Sequence, residues 1–573
     1  MENGLKSKDP YLVSALFFFL LSLFFKPLLF FYIGLSLISG LALSRKNDLL
    51  ISFLNGLVFL FLHILVVNVF QIPVIDLFVF NIGEIIAFII ILIRKRQKIV
   101  LPDKYFLCLI SFFSFLLIFK EVYFNFSDAL YHFSFLRDII RLDRFSNFDP
   151  FYGKDFYDIR YSYSFYIPFL SIPYITLIKL GKSINQATSI ILDSSSIFLY
   201  LISSFSVYYA SKRYFGIISA RISAFLFTVV FLFVKSNQYR GVGFSLSAYP
   251  MALCVYFMFP LLFYILKLKE KRNIIFYSFL LSGIHIFYWG LFFIIPLIEF
   301  FIKRSKSKLN SLLLYLLSGV PVLILKFYNG MSINNDFFTE TLNVNRFQNF
   351  LYSGIGIPTL FPLISLLMIM CFFNIYRKRK LFLYLTFFAF FISFFVPEII
   401  RFVKVNPQKL KRIYQLFPVF FIISPALTFF VRKNKKFIRP ILIIIFTAGI
   451  FHFIFIQQGL SVYSQVPQRI VNGFESMPKE SLIVSTPMDS MLIAGLTSCD
   501  VVSVPVEYSA PSVDDLKRRE DAIYTTILKG DNEFEADYAL IPIRGEPVLM
   551  EAISKRKDMV KIGGSYWLVD LKK

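Results

Sequence analysis

Long apolar runs separated by short basic punctuation fill the first four-fifths of the chain, and their lengths predict helices rather than strands. About fifteen runs read as membrane helices: 11–25, 28–43, 49–70, 72–93, 104–119, 186–210, 216–234, 245–266, 273–287, 288–302, 309–327, 356–375, 380–397, 416–431 and 437–456. Every second connection is basic: Arg45-Lys46, Arg94-Lys95-Arg96, Lys212-Arg213, 267–272, 303–308, 377–380 and 432–436. Lys and Arg are retained on the cytoplasmic side, so the alternation predicts a multi-pass cell-membrane protein with a cytoplasmic N-terminus. That agreement requires 164–180 not to cross. Its Pro168 and Pro173, set among Tyr and Ser, suit a helix lying in the membrane interface.

Four polar segments then face outward: 120–186, 235–244, 328–354 and 398–415. The last carries Arg401, Lys404, Lys409, Lys411 and Arg412 on the side where positive charge is normally depleted. An anionic ligand at the outer surface would account for it. Beyond residue 456 the pattern changes to short alternating runs. Strands are expected at 481–487, 500–505, 537–542 and 566–571, with helices at 488–496 and 514–528. The fold class is therefore an α-helical polytopic membrane protein with a small C-terminal extracytoplasmic α/β domain. Three regions follow: N-terminal accessory helices in 1–100, a membrane core in 101–456 with a long first outer loop at 120–186, and the α/β domain in 457–573.

Composition changes the picture in two places. With 573 residues, 57% of them hydrophobic, and a mean hydropathy of +0.68, the chain holds more apolar surface than one soluble core could bury. A net charge of +24 would suggest nucleic acid in a soluble domain, but here the charge flanks apolar runs. Its partners are membrane lipids with anionic headgroups, and no nucleic acid is expected. Cys108, Cys254, Cys371 and Cys499 have no metal-type spacing and read as small buried hydrophobes. The terminal domain shows no Gly-rich phosphate loop.

Candidate chemistry concentrates where the 104–119 helix ends, at Phe124-Asn125-Phe126-Ser127-Asp128-Ala129-Leu130-Tyr131-His132. A helix starting near Ser127 places Asp128, His132, Phe135 and Ile139 on one face and Arg137, Arg141 and Arg144 along another. A carboxylate facing a cleft, with arginines toward phosphates, makes a catalytic surface. Equally, Ser127 and Asp128 could simply cap an amphipathic helix whose arginines snorkel to headgroups. Asp128 and His132 at i and i+4 could also be two metal ligands, or a carboxylate orienting an imidazole. Asp149, Asp155, Asp158, Asp336 and Glu340 could complete a divalent-metal site. His285 within an apolar run reads as a structural hydrogen-bonding group, and Glu84 and Asp76 either line a polar path or pair inside the bundle.

The helix, the Ser-Asp-Ala-Leu-Tyr-His element, Asp149-Pro150-Phe151-Tyr152 and the Pro-interrupted stretch 163–174 together resemble the first outer loop of the GT-C superfamily. Arg213-Tyr-Phe-Gly is similar to a turn after a core helix in that group. Ser485-Thr486-Pro487, Arg518-Arg519-Glu520-Asp521, Ala536-Asp537-Tyr538-Ala539-Leu540 and Tyr566-Trp567-Leu568-Val569 resemble the outer domain of its bacterial and archaeal members, including the dolichyl-phosphate-mannose mannosyltransferase and aminoarabinose-transferase-like group. The resemblance covers residues 105 onward. It implies an integral-membrane, inverting glycosyltransferase that uses a polyprenyl-phosphate-linked sugar donor and a glycan, lipid or protein acceptor. Asp128 then corresponds to the loop base, with Tyr131, His132, Asp155 and Asp158 orienting acceptor and donor. Arg401, Lys404, Lys409 and Arg412, with Arg240, would hold the lipid phosphate. The segment 235–241 has no acidic pair where some members carry one, which favours single-sugar transferases over the oligosaccharyltransferase branch and leaves metal use open: no cofactor is assigned, and a divalent metal, if used, would sit at Asp128, His132 and Asp336. A lipid or sugar transporter or flippase would share the hydropathy but should show internal repeats, and none is found. A lipid-linked glycan polymerase or ligase would centre on outer-loop Arg and His.

Overall fold

The computed structural model of the chain describes residues 10–44, 48–70, 72–95, 101–118, 134, 136–143, 148–149, 153–157, 166–233, 253–268, 270–328, 472–504, 513–554 and 556–572, with isolated positions at 381, 428, 440 and 447. Within them the chain is mostly helical, with a small sheet domain at its C-terminal end. Each of the first eleven apolar runs forms helix. They are Pro10–Phe25, Leu29–Leu43 with a π-helical stretch at Gly34–Ile38, Leu49–Phe70, Val74–Lys95, Lys104–Ile118, Ile184–Phe215, Ile217–Phe233, Leu253–Met258 continuing as Phe259–Leu268, Lys271–Ile284, Ile286–Lys303 and Lys306–Tyr328. The runs 356–375, 380–397, 416–431 and 437–456 lie outside the described residues.

The expected count of fifteen spans is not carried by these helices. Among the described residues one helix, Lys306–Ile324, is by itself long and apolar enough to cross a membrane. Pro10–Phe25 and Leu29–Leu43 would make a second, but the pair bends by 116° where Pro27 interrupts the helix. Lys104–Ile118, with 15 residues, is about 23 Å long against a hydrocarbon core of about 30 Å. Ile184–Phe215 is long enough at 32 residues, yet its buried face carries Ser194, Ser195, Ser203, Ser204, Ser206 and Ser211, which lower its hydropathy.

Small residues set the closest helix approach. Gly40 of the Leu29–Leu43 helix lies against the backbone carbonyl of Ser52, and Gly56 of Leu49–Phe70 against that of Ser36, so either glycine's missing Cβ is what lets the backbones touch. The crossing also shelters hydroxyls and an amide: Asn55 Nδ2 donates to Ser44 Oγ at 2.7 Å, and Ser52 Oγ to the Asp48 carbonyl at 2.9 Å.

Charged helix ends gather at one end of the bundle. Arg221 makes two hydrogen bonds to the Asp103 carboxylate, both 2.7 Å. Tyr264 donates to Asp48, and the Lys95 ammonium donates to the Ala42 carbonyl. Lys303 and Lys308 each reach Glu299 Oε1 at 2.8 Å. The described helix ends near Ala42, Asp48, Lys95, Asp103, Leu266 and Lys308 therefore share one end, as does Lys212, which lies over Tyr208 beside Asp103 near the finish of Ile184–Phe215. Ser183, which caps the start of that helix by accepting from Gln186 N–H at 3.3 Å, lies about 45 Å away along it.

The helix expected at 164–180 is present as Tyr166–Lys179, with Tyr174 fully buried. It packs on Val74–Lys95 and Ile184–Phe215. It ends in a Schellman turn: Gly181 at φ +82° returns its N–H to Ile178, and Lys182 N–H reaches Leu177 O, both 3.0 Å. A short antiparallel pair, β1 (Phe148–Asp149) and β2 (Gly153–Tyr157), precedes it.

The C-terminal sheet has five strands: β3 (Leu482–Val484), β4 (Asp500–Val501), β5 (Tyr538–Pro542), β6 (Met559–Ile562) and β7 (Tyr566–Asp570), ordered β4-β3-β5-β7-β6. β3 runs parallel to both β4 and β5, and β7 pairs antiparallel with β5 and β6. Alternation along the strands divides two cores. Ile483, Leu540 and Leu568 join the apolar core that continues into the helical bundle, while Val484, Ala539, Ile541 and Val569 face a separate cluster with Ala522, Ile523 and Leu549. The strand expected over 500–505 pairs only at Asp500–Val501. The single helix expected at 514–528 is instead Val513–Glu520, Ala522–Tyr524 and a π-turn Thr525–Lys529, closed by Gly530 at φ +73°. Helix Pro547–Ser554 and strand β6 are additional to the elements expected from the sequence.

Candidate functional site

Asp128, Tyr131, His132, Asp158, Arg240, Asp336, Arg401, Lys404, Lys409 and Arg412 lie outside the described residues. Asp155 has a described backbone, within β2, where Asp149 pairs with Gly153 and Phe148 with Tyr157; its side chain lies outside. The described residues give the frame on both sides of the Asp128–His132 segment: the helix ending at Ile118 and a short helix at 136–142.

That second flank is unusually well held. Ser134, Leu136, Arg137, Asp138 and Ile139 are all buried. Arg137 is 2% exposed, which an arginine tolerates only when its donors are met. Its Nε and one terminal nitrogen donate to Asp138 Oδ1 at 3.1 and 2.9 Å, and the other donates to the backbone carbonyl of Cys499. Asp500, at the start of β4, accepts from Arg141 through both oxygens at 2.9 Å and stands 3.4 Å from Arg137. Arg141 also reaches Asp138 at 3.3 Å.

Two guanidiniums therefore meet two carboxylates, and no formal charge is left for an anion. The expectation that Arg137 and Arg141 face phosphates is corrected on this ground, because a phosphate would have to displace a carboxylate from a buried fork. Arg144 lies outside the described residues. Burial pushes the Asp138 carboxyl up from its ordinary value, opposed by Arg137 and Arg141. For Arg141 burial pulls the other way, yet Asp138 and Asp500 outweigh it and hold the guanidinium above its usual range. The Cys499 thiol is also raised by burial, and its Sγ donates to the Pro478 carbonyl at 2.9 Å.

A second tie joins the same two parts: Ser183 Oγ donates to Glu475 Oε1 at 2.8 Å. Sequence reasoning singled out neither Asp138 nor Asp500. The only local signal was the Arg137-Asp138 adjacency, and the partner lies 363 residues away.

Other candidates resolve into structural roles. Glu84 stands 3.2 Å from His63 Nδ1, so it pairs within the bundle; the Asp76 side chain lies outside the described residues. His285 occupies the break between Lys271–Ile284 and Ile286–Lys303, with extended backbone and its ring edge-on to Tyr288 at 4.8 Å. Cys254 and Cys499 are buried and Cys108 is half-buried, all free thiols. Among the described residues no three His, Cys, Asp or Glu side chains converge as metal ligands.

In the terminal domain, Thr486 caps Pro487–Leu496 and donates to Asp489 at 2.5 Å, while Tyr566 donates to the other Asp489 oxygen at 2.9 Å. Arg519 donates to the Val502 carbonyl at 2.9 Å, and Asp537 accepts from Leu482 N–H at 2.8 Å. These motif residues close the domain on itself.

No family model matches the chain, and no curated protein matches it. Two similar solved structures are both of the Archaeoglobus fulgidus oligosaccharyltransferase. The form tethered to an acceptor peptide with an NVT sequon is 11% identical over 77% of this chain and 69% of that one, at a TM-score of 0.47. The complex with Zn and sulfate is 12% identical over 76% and 68%, at 0.41. Overlap at this level does not establish a common fold.

Proposed function

We propose that this chain is a membrane glycosyltransferase that moves a sugar from a polyprenyl-phosphate donor to an acceptor hydroxyl on the outer face of the cell membrane. The supporting observation is that the outer-loop helix just beyond the Asp128–His132 element is locked to the C-terminal domain, at the end of the bundle away from the basic connections. A carboxylate there would sit between a membrane-embedded donor and an acceptor held by the domain.

In the reaction, Asp128 takes the proton of the acceptor hydroxyl as that oxygen attacks the anomeric carbon. The bond from that carbon to the lipid phosphate breaks, the phosphate leaves with the electron pair, and the configuration inverts. Tyr131, His132, Asp155 and Asp158 orient the two substrates. Arg401, Lys404, Lys409, Arg412 and Arg240 meet the charge that grows on the leaving phosphate.

The test is Asp128→Asn, which keeps the shape and removes the base. Membranes carrying it should insert the protein normally yet transfer sugar about 10²–10⁴-fold more slowly from polyprenyl-phosphate sugars. Transfer at the unaltered rate would end the assignment.

A further inference from the structure

We propose that Asp500 is a positioning residue: through Arg141 and Arg137 it clamps the outer-loop helix 136–142 onto the C-terminal domain, and sugar transfer depends on that docking. Its effect on activity rests on the function proposed above; the clamp itself does not.

The charges are divided unequally. Arg137 and Asp138 are neighbours in sequence and pair at 2.9 Å within the helix itself. Arg141 reaches that same Asp138 oxygen at 3.3 Å through one nitrogen, and through the other it contacts both oxygens of Asp500 at 2.9 Å, 359 residues along the chain. Docking therefore adds the Asp500 carboxylate to three groups, Arg137, Asp138 and Arg141, that together carry one excess positive charge. With Arg141 and Asp500 each less than one-third exposed, that added pair works in a poorly hydrated place.

The receiving side is rigid. The Cys499 carbonyl that accepts from Arg137 belongs to a residue whose own N–H is held by Thr497 Oγ1 at 3.1 Å and whose thiol is held by Pro478. Asp500 then enters β4, paired with Leu482 of β3. Leu136 and Ile139 sink into the apolar core that also contains Met491, Cys499 and Val501. Contacts of that kind set how tightly the parts adhere, whereas the separate hydrogen bonds from Arg137 to the Cys499 carbonyl and from Arg141 to Asp500 set one orientation of the helix. A helix rotated by a single residue would turn Arg141 about 100° away from Asp500.

The experiment uses the full chain in lipid nanodiscs and three variants: Asp500→Asn, Arg141→Gln and the double variant Arg141→Gln/Asp500→Asn. Backbone amide exchange reads the clamp, and initial rates with a polyprenyl-phosphate sugar read its consequence. Asp500→Asn should speed exchange at 136–142 by about tenfold, as expected for loss of one charged hydrogen-bonded pair, with exchange at 538–542 unchanged. The kcat should fall by about tenfold while the donor KM stays within about twofold, because orientation of the base rather than donor binding is lost. Arg141→Gln should do the same, and the double variant should lose no more than either single one, because each alone already removes the pair. Unchanged exchange in both single variants would overturn the clamp. Faster exchange with unchanged kcat, or a double variant whose losses are the sum of the two single losses, would overturn the positioning role. If Asp128→Asn proved fully active, the function would fail while the exchange result still decided the clamp.

Discussion

Gly40→Ala adds a single methyl at the tightest helix crossing in the described bundle. The new Cβ would fall inside the contact distance of the Ser52 carbonyl oxygen, 2.7 Å from its carbon and 2.9 Å from the Gly56 nitrogen. All three atoms are backbone, so no side chain can rotate aside, and the two helices must part by roughly 1 Å or more. Overpacking of this kind costs about 1–3 kcal/mol. Separation would also stretch the buried Asn55 to Ser44 hydrogen bond, 2.7 Å long, adding about 1 kcal/mol if it is lost. The expected loss is therefore about 2–4 kcal/mol. Gly83 supplies the control, since nothing lies within 4 Å of its Cβ position in Val74–Lys95. There Ala should be neutral or stabilising by about 0.5–1 kcal/mol, because glycine weakens a helix interior. Both are read by reversible denaturation of the detergent-solubilised chain. Equal stability of the two alanine variants would refute backbone contact at the crossing.

In the terminal domain, Thr486→Ala removes the cap of Pro487–Leu496 and the hydroxyl held by Asp489, and should cost about 1 kcal/mol, read as faster amide exchange in that helix and in β3. Unchanged exchange would mean that the cap contributes nothing. The Asp537 carboxyl is pushed up by burial but pulled further down by Lys572 and the Leu482 N–H, so its folded value lies below the ordinary one. A depressed carboxyl contributes stability above its unfolded value, near ~3.9, and that contribution is lost as pH falls through the folded value. Its partner Lys572 is exposed to solvent, which screens the pair and limits the effect to under about 1 kcal/mol. Asp537→Asn should flatten the acid arm of a stability titration below about pH 4, and an unaltered arm would refute the assignment.

The helical part was legible because its signal is local. Runs such as 49–70 and 104–119 are apolar throughout, and their starts and stops coincide with helix ends to within a residue or two. Where expectation and structure parted, a nonlocal contact decided. Asp500 to Pro505 reads as a strand by composition, yet the described ladder with β3, itself three residues long, covers Asp500 and Val501 and ends at the Val502 N–H bond to Ile483. β6 escapes the sequence pattern because Val560 and Lys561 face solvent at the sheet edge and break the apolar alternation a strand is recognised by. Two-residue and edge strands are held by their neighbours, so a single sequence carries little trace of them.

The same limit applies at the site. Arginines at 137 and 141 follow helical spacing and invite a phosphate, since exposed basic faces usually meet anions. What redirects them is a carboxylate hundreds of residues away, in a segment whose sequence, Ser498-Cys499-Asp500-Val501, says only that a strand begins. Burial converts an ambiguous charge into a determined one, because a desolvated guanidinium must find its counter-ion in the fold itself. Basic residues that keep access to water, as the outer cluster 401–412 would under the proposed function, remain free to serve a ligand. The two kinds separate on one pair of variants. Arg412→Gln should weaken use of a phosphate-bearing donor without loosening the 136–142 helix, whereas Arg141→Gln should loosen the helix and leave donor KM nearly unchanged. Were both to raise donor KM alike, the division between structural and ligand-binding arginines would be wrong.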